Sequence, residues 1–318
     1  MIPVKIIAVD HGSRNMKSPN HTFPASIKEV GHLPTMGADT LVYNGKEYAL
    51  VDKRMAQKLD KAQDEDYFIL TLFAIGKELA GDKNTALGIF PGDCIEIVLL
   101  VGLPPLQCKA MGDSFTQYLK RNSEPIHFQL NKVPYVIRIK DVHLYPQAYA
   151  AAITVLEHFK GVRAANVVDI GGHTADLLRL TDMKPDMTVC TSLHYGVNLL
   201  FQRINEQVRA TGVNNIPDAV IEGILLKDEI VLQDCAPARI DLVQSTAALF
   251  AQDLLQEISQ AGLDLTENRT VFVGGGSILL RDYIDKTGMV TKPIYVNNAR
   301  ANVQGYQLIY NNRNTVRS

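Results

Sequence analysis

The stretch Val4-Lys5-Ile6-Ile7-Ala8-Val9-Asp10-His11-Gly12-Ser13-Arg14-Asn15-Met16-Lys17 decides how this chain folds. Residues 4–9 form an apolar, β-rich run that ends on Asp10, and the turn-forming Gly12, Ser13 and Asn15 follow at once. This predicts a strand entering a tight loop. The pattern returns downstream, where residues 167–170 carry Asp169 into Gly171 and Gly172 and residues 177–180 resume as a second strand. A third short strand, residues 270–273, runs into Gly274-Gly275-Gly276-Ser277 and opens a helix.

These turns have a common chemistry. Glycine lets the backbone approach phosphate oxygens closely, the hydroxyls of Ser13 and Thr174 can donate, and Lys17 can neutralise charge. A carboxylate at each strand end, Asp10 and Asp169, suits Mg2+, which keeps several waters and usually takes one or two carboxylates in phosphate sites. Read alone, an Asp-x-Gly turn after a strand is most often just a turn. The third glycine-rich turn shifts that balance, because it can lie flat against an adenine ring or a ribose. Neither a Walker phosphate loop nor a G-x-G-x-x-G fingerprint competes for the explanation.

Working outward, residues 41–43, Asn44-Gly45 and residues 48–51 read as a hairpin with a type I′ turn. Residues 66–79 have helical spacing, and residues 95–101 are a continuous apolar run closed by Gly102 and Pro104, as suits a strand buried on both faces. Residues 133–144 add an extended stretch, after which Pro146 is placed to be the first residue of a helix running through 148–159. Helices are expected over 196–208, 219–226 and 240–258, with a closing helix over 301–311. No Pro/Gly/Ser linker separates these parts, so the domains should be closely apposed.

Composition excludes several classes. A chain of 318 residues with 46% hydrophobic content has the length of about two domains. Residues 1–10 lack the basic start and long apolar core of a secretory signal, and no segment approaches the ~20 apolar residues of a membrane span. A soluble, cytoplasmic protein with no membrane partner is expected. Cys94, Cys108, Cys190 and Cys235 form no C-x-x-C pair, so reduced thiols are expected, with Cys190 as strand core. Net charge is −2 with Lys and Arg dispersed, so no direct nucleic-acid contact is expected.

The loop from Asp10 to Lys17 resembles the first phosphate loop of the actin, sugar-kinase and heat-shock chaperone ATPase superfamily, and its D-x-G-S-x-N-x-K form is similar to the ParM-type plasmid-segregation group. V-V-D-I-G-G-H-T-A-D at 167–176 resembles the second phosphate loop, and V-F-V-G-G-G-S-I-L-L at 271–280 the adenosine motif. The tail N-N-A-R-A-N-V-Q-G-Y at 297–306 looks like the "ANAxGY"-type ending of the plasmid-segregation group.

The resemblance implies an α/β, actin-like (ribonuclease H-like) ATPase fold with two related domains flanking a nucleotide cleft. Domain I would span 1–160 with a small insertion at about 23–92, and domain II 161–318 with a three-helix insertion at about 196–265; the C-terminal helix would pack back on domain I. Asp10, Gly12, Ser13, Asn15 and Lys17 would cradle phosphates from one side, and Asp169, Gly171, Gly172 and Thr174 from the other. Gly274, Gly275, Gly276 and Ser277 would flank the adenosine, and Gly196 and Asn198 would border the nucleotide. Gln147 matches the place where such ATPases carry a Gln or Glu that orients the attacking water, with Asp10 and Asp169 completing the catalytic set around Mg2+. His11 and His173 stand where the family often has small, apolar or hydroxyl residues, and read as packing or hydrogen-bonding residues.

The implied function is an ATPase, using ATP or GTP, that polymerises with itself into dynamic filaments and segregates plasmid DNA through a DNA-binding adaptor. No sequence motif encodes head-to-tail contacts, so polymerisation rests on the resemblance alone. The alternatives are a non-polymerising relative such as a small-molecule kinase, and a nucleotide-binding regulatory protein with negligible turnover.

Overall fold

The computed structural model describes residues 4–31, 37–51, 60–81, 93–122 and 124–315. Parts of the expected 23–92 insertion, at 32–36, 52–59 and 82–92, lie outside the described residues. The chain divides into two compact units, Met1–Thr154 with Asn302–Ser318, and Val155–Ala301.

The first unit holds β1 (Val4–His11), β2 (Asn15–Lys17), β3 (Thr22–Pro24), β4 (Ile27–Glu29), β5 (Thr40–Tyr43), β6 (Lys46–Leu50), α1 (Asp66–Gly81), β7 (Cys94–Leu103), α2 (Pro105–Lys120), β8 (Ile126–Leu130), β9 (Val133–Pro146) and α3 (Tyr149–Ile153). Its strands form one sheet in the order β3-β2-β1-β7-β9-β8-β5-β6-β4. β1, β7 and β9 are parallel neighbours, and β1-β2-β3 is an antiparallel meander. β7 is buried almost throughout because helices cover parallel strands on both faces, which explains its unbroken apolar run. α1 supplies Tyr67, Phe68, Leu70, Leu72 and Phe73 to the same core as Ile97, Leu99 and Val101.

The second unit repeats the plan. It holds β10 (Ala164–Ile170), β11 (Ala175–Thr181), β12 (Lys184–Leu193), α4 (Val197–Ala210), α5 (Asp218–Leu226), α6 (Glu229–Asp234), α7 (Pro237–Gln260), β13 (Arg269–Val273), α8 (Gly275–Thr287) and β14 (Pro293–Tyr295), ordered β12-β11-β10-β13-β14. β10, β13 and β14 are parallel and β10-β11-β12 antiparallel, so this sheet matches β3-β2-β1-β7-β9 strand for strand. α9 (Ala301–Thr315) follows, and Val303 and Tyr306 join Ala8, Val98, Leu100, Tyr145 and Ala150 in a core of the first unit.

The Asn44-Gly45 hairpin forms as expected, with φ 48° and 74° at its two central residues. Three expectations change. The helix predicted to start at Pro146 does not: Pro146 closes β9 opposite Leu103, and helix begins only at Tyr149 and lasts five residues. The cause is local, since Gln147 N–H donates to Leu103 O and carries the ladder one residue further, and Ala148 then takes φ +59°. Four helices, not three, occupy the 196–265 segment, α6 being too short and too exposed for its periodicity to show. Cys190 is only partly buried, on a strand that has no fully buried residue. Among the described residues no helix is long and apolar enough to cross a membrane.

Candidate functional site

The two Asp-led loops are the same hairpin built twice. In the first unit Asp10 faces Lys17 and His11 faces Met16 across β1 and β2; in the second Asp169 faces Asp176 and Ile170 faces Ala175 across β10 and β11. Each spans eight residues and starts at the C-terminal end of a central strand, where open α/β sheets present ligand-binding loops. Directly opposed residues share a sheet face, so the equivalent of Lys17 is a carboxylate.

In the first hairpin Asp10 is 2% exposed and 8%-exposed Gln147 donates to it, Nε2 to Oδ1, at 2.5 Å. Lys17 Nζ lies 3.6 Å from Asp10 Oδ2. A carboxylate only accepts, so the Gln147 nitrogen must face Asp10, and Oε1 is the atom with which Gln147 can accept a hydrogen bond from another group. Gly12 closes the turn: a Cβ there would sit 2.4 Å from Asn15 O. Ser13 and Asn15 are part-buried on that loop. His11 points into the core instead. Its Nε2 meets Thr71 Oγ1 at 2.8 Å, and because the Thr71 hydroxyl donates to Tyr67 O, the imidazole must be the donor. Complete burial, with Lys61 adding a repulsive charge, pushes the His11 pKa down to about 3, so the ring is neutral. Lys61 Nζ also donates to His11 O at 2.6 Å.

In the second hairpin Gly171 N–H donates to Thr174 O at 2.8 Å, and the N-terminus of α4 braces the loop. Gly196, Val197 and Asn198 N–H donate to His173 O, Gly171 O and Gly172 O. These amides are therefore occupied by the loop itself. A Cβ on Gly196 would lie 2.4 Å from both Gly172 O and His173 C. The Asn198 side-chain oxygen is buried with no hydrogen-bond partner among the described residues, leaving an acceptor to be met. Asp169 is 8% exposed and its Oδ1 lies where a Cβ of Gly274 would stand, 2.3 Å away, and Gly274 has φ +85°. A Cβ on Gly276 would meet Ile170 Cγ2 at 2.4 Å, and Ser277 Oγ donates to Gly274 O at 2.8 Å. Gly275 alone of the three glycines faces open space.

The predicted residues thus gather in two groups, Asp10 to Lys17 with Gln147 in one unit, and Asp169 to Thr174 with Gly196, Asn198 and Gly274 to Ser277 in the other. Sequence reasoning passed over Asp176, which is buried and accepts from Ser192 Oγ at 2.5 Å. The equal eight-residue spacing of Asp10 to Lys17 and Asp169 to Asp176 is the signal that marks it. Asp10, Asp169 and Asp176 offer oxygen donors of the kind Mg2+ takes, and no group of three His, Cys, Asp or Glu side chains that could hold a metal occurs among the described residues.

Comparison with known proteins agrees with this duplicated architecture. The family model for the N-terminal domain of actin-like proteins matches residues 8–149, and that for the C-terminal part of the archaeal MreB-like actin homologue matches 167–286. Among solved structures, an archaeal actin homolog superposes with a TM-score of 0.72 at 16% identity, covering 98% of this chain and 100% of that one. The same homolog has been solved in complex with ADP, with a TM-score of 0.71 to this chain at 16% identity and 98% and 100% coverage. A ParM from Clostridium botulinum, solved as a 15-stranded filament, gives a TM-score of 0.73 at 15% identity, again over 98% and 100% of the two chains. No curated protein sequence matches the chain.

Proposed function

This chain belongs to the actin-like proteins, and on that premise we propose that it binds ATP, hydrolyses it, and assembles with itself into filaments whose lifetime the hydrolysis sets. The observation that carries the proposal is the pair of equal Asp-led hairpins, one of which holds Gln147 against Asp10.

Each hairpin would bind the triphosphate. Gly12, Ser13, Asn15 and Lys17 bring backbone, hydroxyl, amide and ammonium groups to its oxygens, and Gly171, Gly172 and Thr174 do the same from the second hairpin. Phosphoryl transfer to water needs the nucleophile in line with the γ-phosphate, and positioning with electrostatics does most of the work. Gln147 supports that step: its nitrogen is fixed on Asp10, so Oε1 orients the water. A neutral amide cannot take the proton outright, which limits Gln147 to orientation. Bound near Asp10 and Asp169, Mg2+ would supply charge neutralisation of the phosphate oxygens. The open face of Gly275 suits the adenosine, and Asn198 Oδ1 is an acceptor for a ribose hydroxyl or a ring amine. Gly196, Gly274, Gly276 and Ser277 would act behind these groups, shaping the loops.

Filament formation follows the family. The C. botulinum ParM filament and the Alp12 filament are solved relatives in fold, and nucleotide contacts that exist in one conformation bias the chain toward it. GTP use in place of ATP, Mg2+ dependence, a cytoplasmic setting and a DNA-binding adaptor through which the filament moves plasmid DNA complete the reading. Right-angle light scattering after addition of Mg-ATP, with ADP as control and phosphate release followed in parallel, tests it. A rise that decays as phosphate appears is expected. Phosphate release without a rise points to a non-polymerising relative such as a kinase, and the absence of both signals overturns the proposal.

A further inference from the structure

The residues after Gln147 adopt a turn that the fold does not require. Gln147 O accepts from Tyr149 N–H at 2.5 Å, closing a three-residue turn around Ala148 at φ +59°, ψ −56°. This is the rarer, strained hand of γ-turn, and strain of this kind persists only where surrounding structure holds it. The duplicated unit provides an internal comparison. Val296 N–H donates to Phe272 O as Gln147 N–H does to Leu103 O, and Asn298 N–H returns to Val296 O at 2.7 Å, yet Asn297 at the centre has no positive φ.

What holds the first turn is the start of α9. Asn302 Oδ1 accepts from the N–H of Ala148, at 3.0 Å, where both residues are buried. One turn on, a Cβ at Gly305 would lie 1.9 Å from Ala150 O, so only glycine lets the helix come this near. Tyr306 stacks on Tyr145 with centroids 5.6 Å apart and reaches Gly102, where a Cβ would stand 1.9 Å from its hydroxyl oxygen. The conspicuous residues of the A-N-V-Q-G-Y tail therefore touch the strand end and turn on either side of Gln147.

We infer that the A-N-V-Q-G-Y segment, residues 301–306, is a clasp that positions Gln147, with Asn302 as the positioning residue that locks the Ala148 turn so that Gln147 stays on Asp10. The inference rests on the ATPase reading above for its consequence, though not for its geometry. Without the Asn302 oxygen, the buried Ala148 N–H loses its acceptor and the turn is released toward the ordinary hand, which rotates the Gln147–Ala148 peptide.

The test compares N302A, N302D and Q147A, singly and combined, by phosphate release, ADP affinity and thermal unfolding. N302A is expected to lower kcat by about tenfold or more, with KM for ATP and ADP affinity within about twofold of wild type. N302D keeps a side-chain oxygen acceptor and is expected to recover most of the rate. In a Q147A background N302A should slow the reaction no further, because both act through one side chain. Wild-type kcat in folded N302A, or losses that multiply in the double variant, would overturn the inference. If the wild-type protein releases no phosphate, the ATPase reading fails by itself. The clasp is then judged by the side-chain amide resonance of Gln147 in nucleotide-free protein, which should move in N302A and not in N302D; an unmoved resonance in N302A overturns it.

Discussion

Gly275 and Gly276 are neighbours under opposite constraints. A methyl on Gly276 would press on Ile170 and Val197, at 2.4 Å and 2.8 Å, whereas one on Gly275 meets nothing within 4 Å. Gly276→Ala should therefore lose about 1–3 kcal/mol through overpacking, with or without nucleotide. Gly275→Ala should melt at or above the wild-type temperature and yet bind ADP at least about tenfold more weakly, because the new methyl stands where the adenosine is proposed to lie. Melting curves with and without ADP separate the two, and a Gly275→Ala protein that binds ADP normally places the nucleotide elsewhere. His11 makes a different prediction at the same scale. Its folded pKa is depressed to about 3, so the neutral ring contributes stability above the unfolded value near 6.5, and that contribution fades as pH falls from there toward 3. Urea unfolding between pH 4 and 7 should show a slope of up to about 1.4 kcal/mol per pH unit from this proton, absent in His11→Gln. Equal slopes in both proteins would mean that the ring is not held neutral.

Among the elements, α4 has the clearest dependence on a neighbour. The amides of its N-cap Gly196 and of Val197 and Asn198 hold residues 171–173, and Gly196 approaches that loop backbone so closely that no side chain can relieve the contact. Gly196→Ala should displace the loop, break these three bonds at roughly 1 kcal/mol each, and lose ADP binding together with stability. Asn198→Ala removes the side-chain amide and keeps the backbone bond, so it should weaken ADP binding while the melting temperature stays near wild type. Stability lost without binding in Gly196→Ala would detach the second hairpin from the nucleotide. The elements also differ in how well sequence announces them. β7 was legible because a strand buried on both faces is an unbroken apolar run, and β1 and β13 because their apolar stretches lead straight into glycine-bearing turns. β2 and β3, three residues each, are strands only through the register that β2 keeps with β1 and β3 keeps with β2. β12 has no fully buried residue and shows no alternation to read. The turn at Ala148 lies beyond local inspection, since alanine is a strong helix former and the bonds that keep it out of the helix come from Leu103 and Asn302, distant in sequence. Both Asp-led hairpins were legible as turns, but the equivalence of Lys17 and Asp176 needed the strand register.

At the scale of the whole molecule, the two units differ in how the chain makes them. The second is a single run, Val155–Ala301, with its own core around Phe201, Phe250, Leu254 and Phe272. The first is built from both ends of the chain, because Asn302–Ser318 returns to it. Val303 and Tyr306 are fully buried there against Ala8, Leu100 and Tyr145. Ending the chain at Ala301 would remove both side chains, at roughly 1.5–3 kcal/mol for each large apolar group, and leave the buried Ala148 N–H without its acceptor for about 1–3 kcal/mol more. Losses of that size consume much of the roughly 5–15 kcal/mol by which a domain is stable. The truncated chain should therefore keep a cooperatively folded second unit beside a first unit that opens. Amide hydrogen exchange read by mass spectrometry distinguishes them, with protection expected to persist in β10, β13 and α7 and to collapse in β1, β7 and β9. Adding a peptide of residues 302–318 should restore part of that protection, as a clasp supplied in trans would. Protection retained in β1 and β7 of the truncated chain would mean that the first unit stands without α9, and that the Asn302 contact fixes Gln147 without supporting the unit around it.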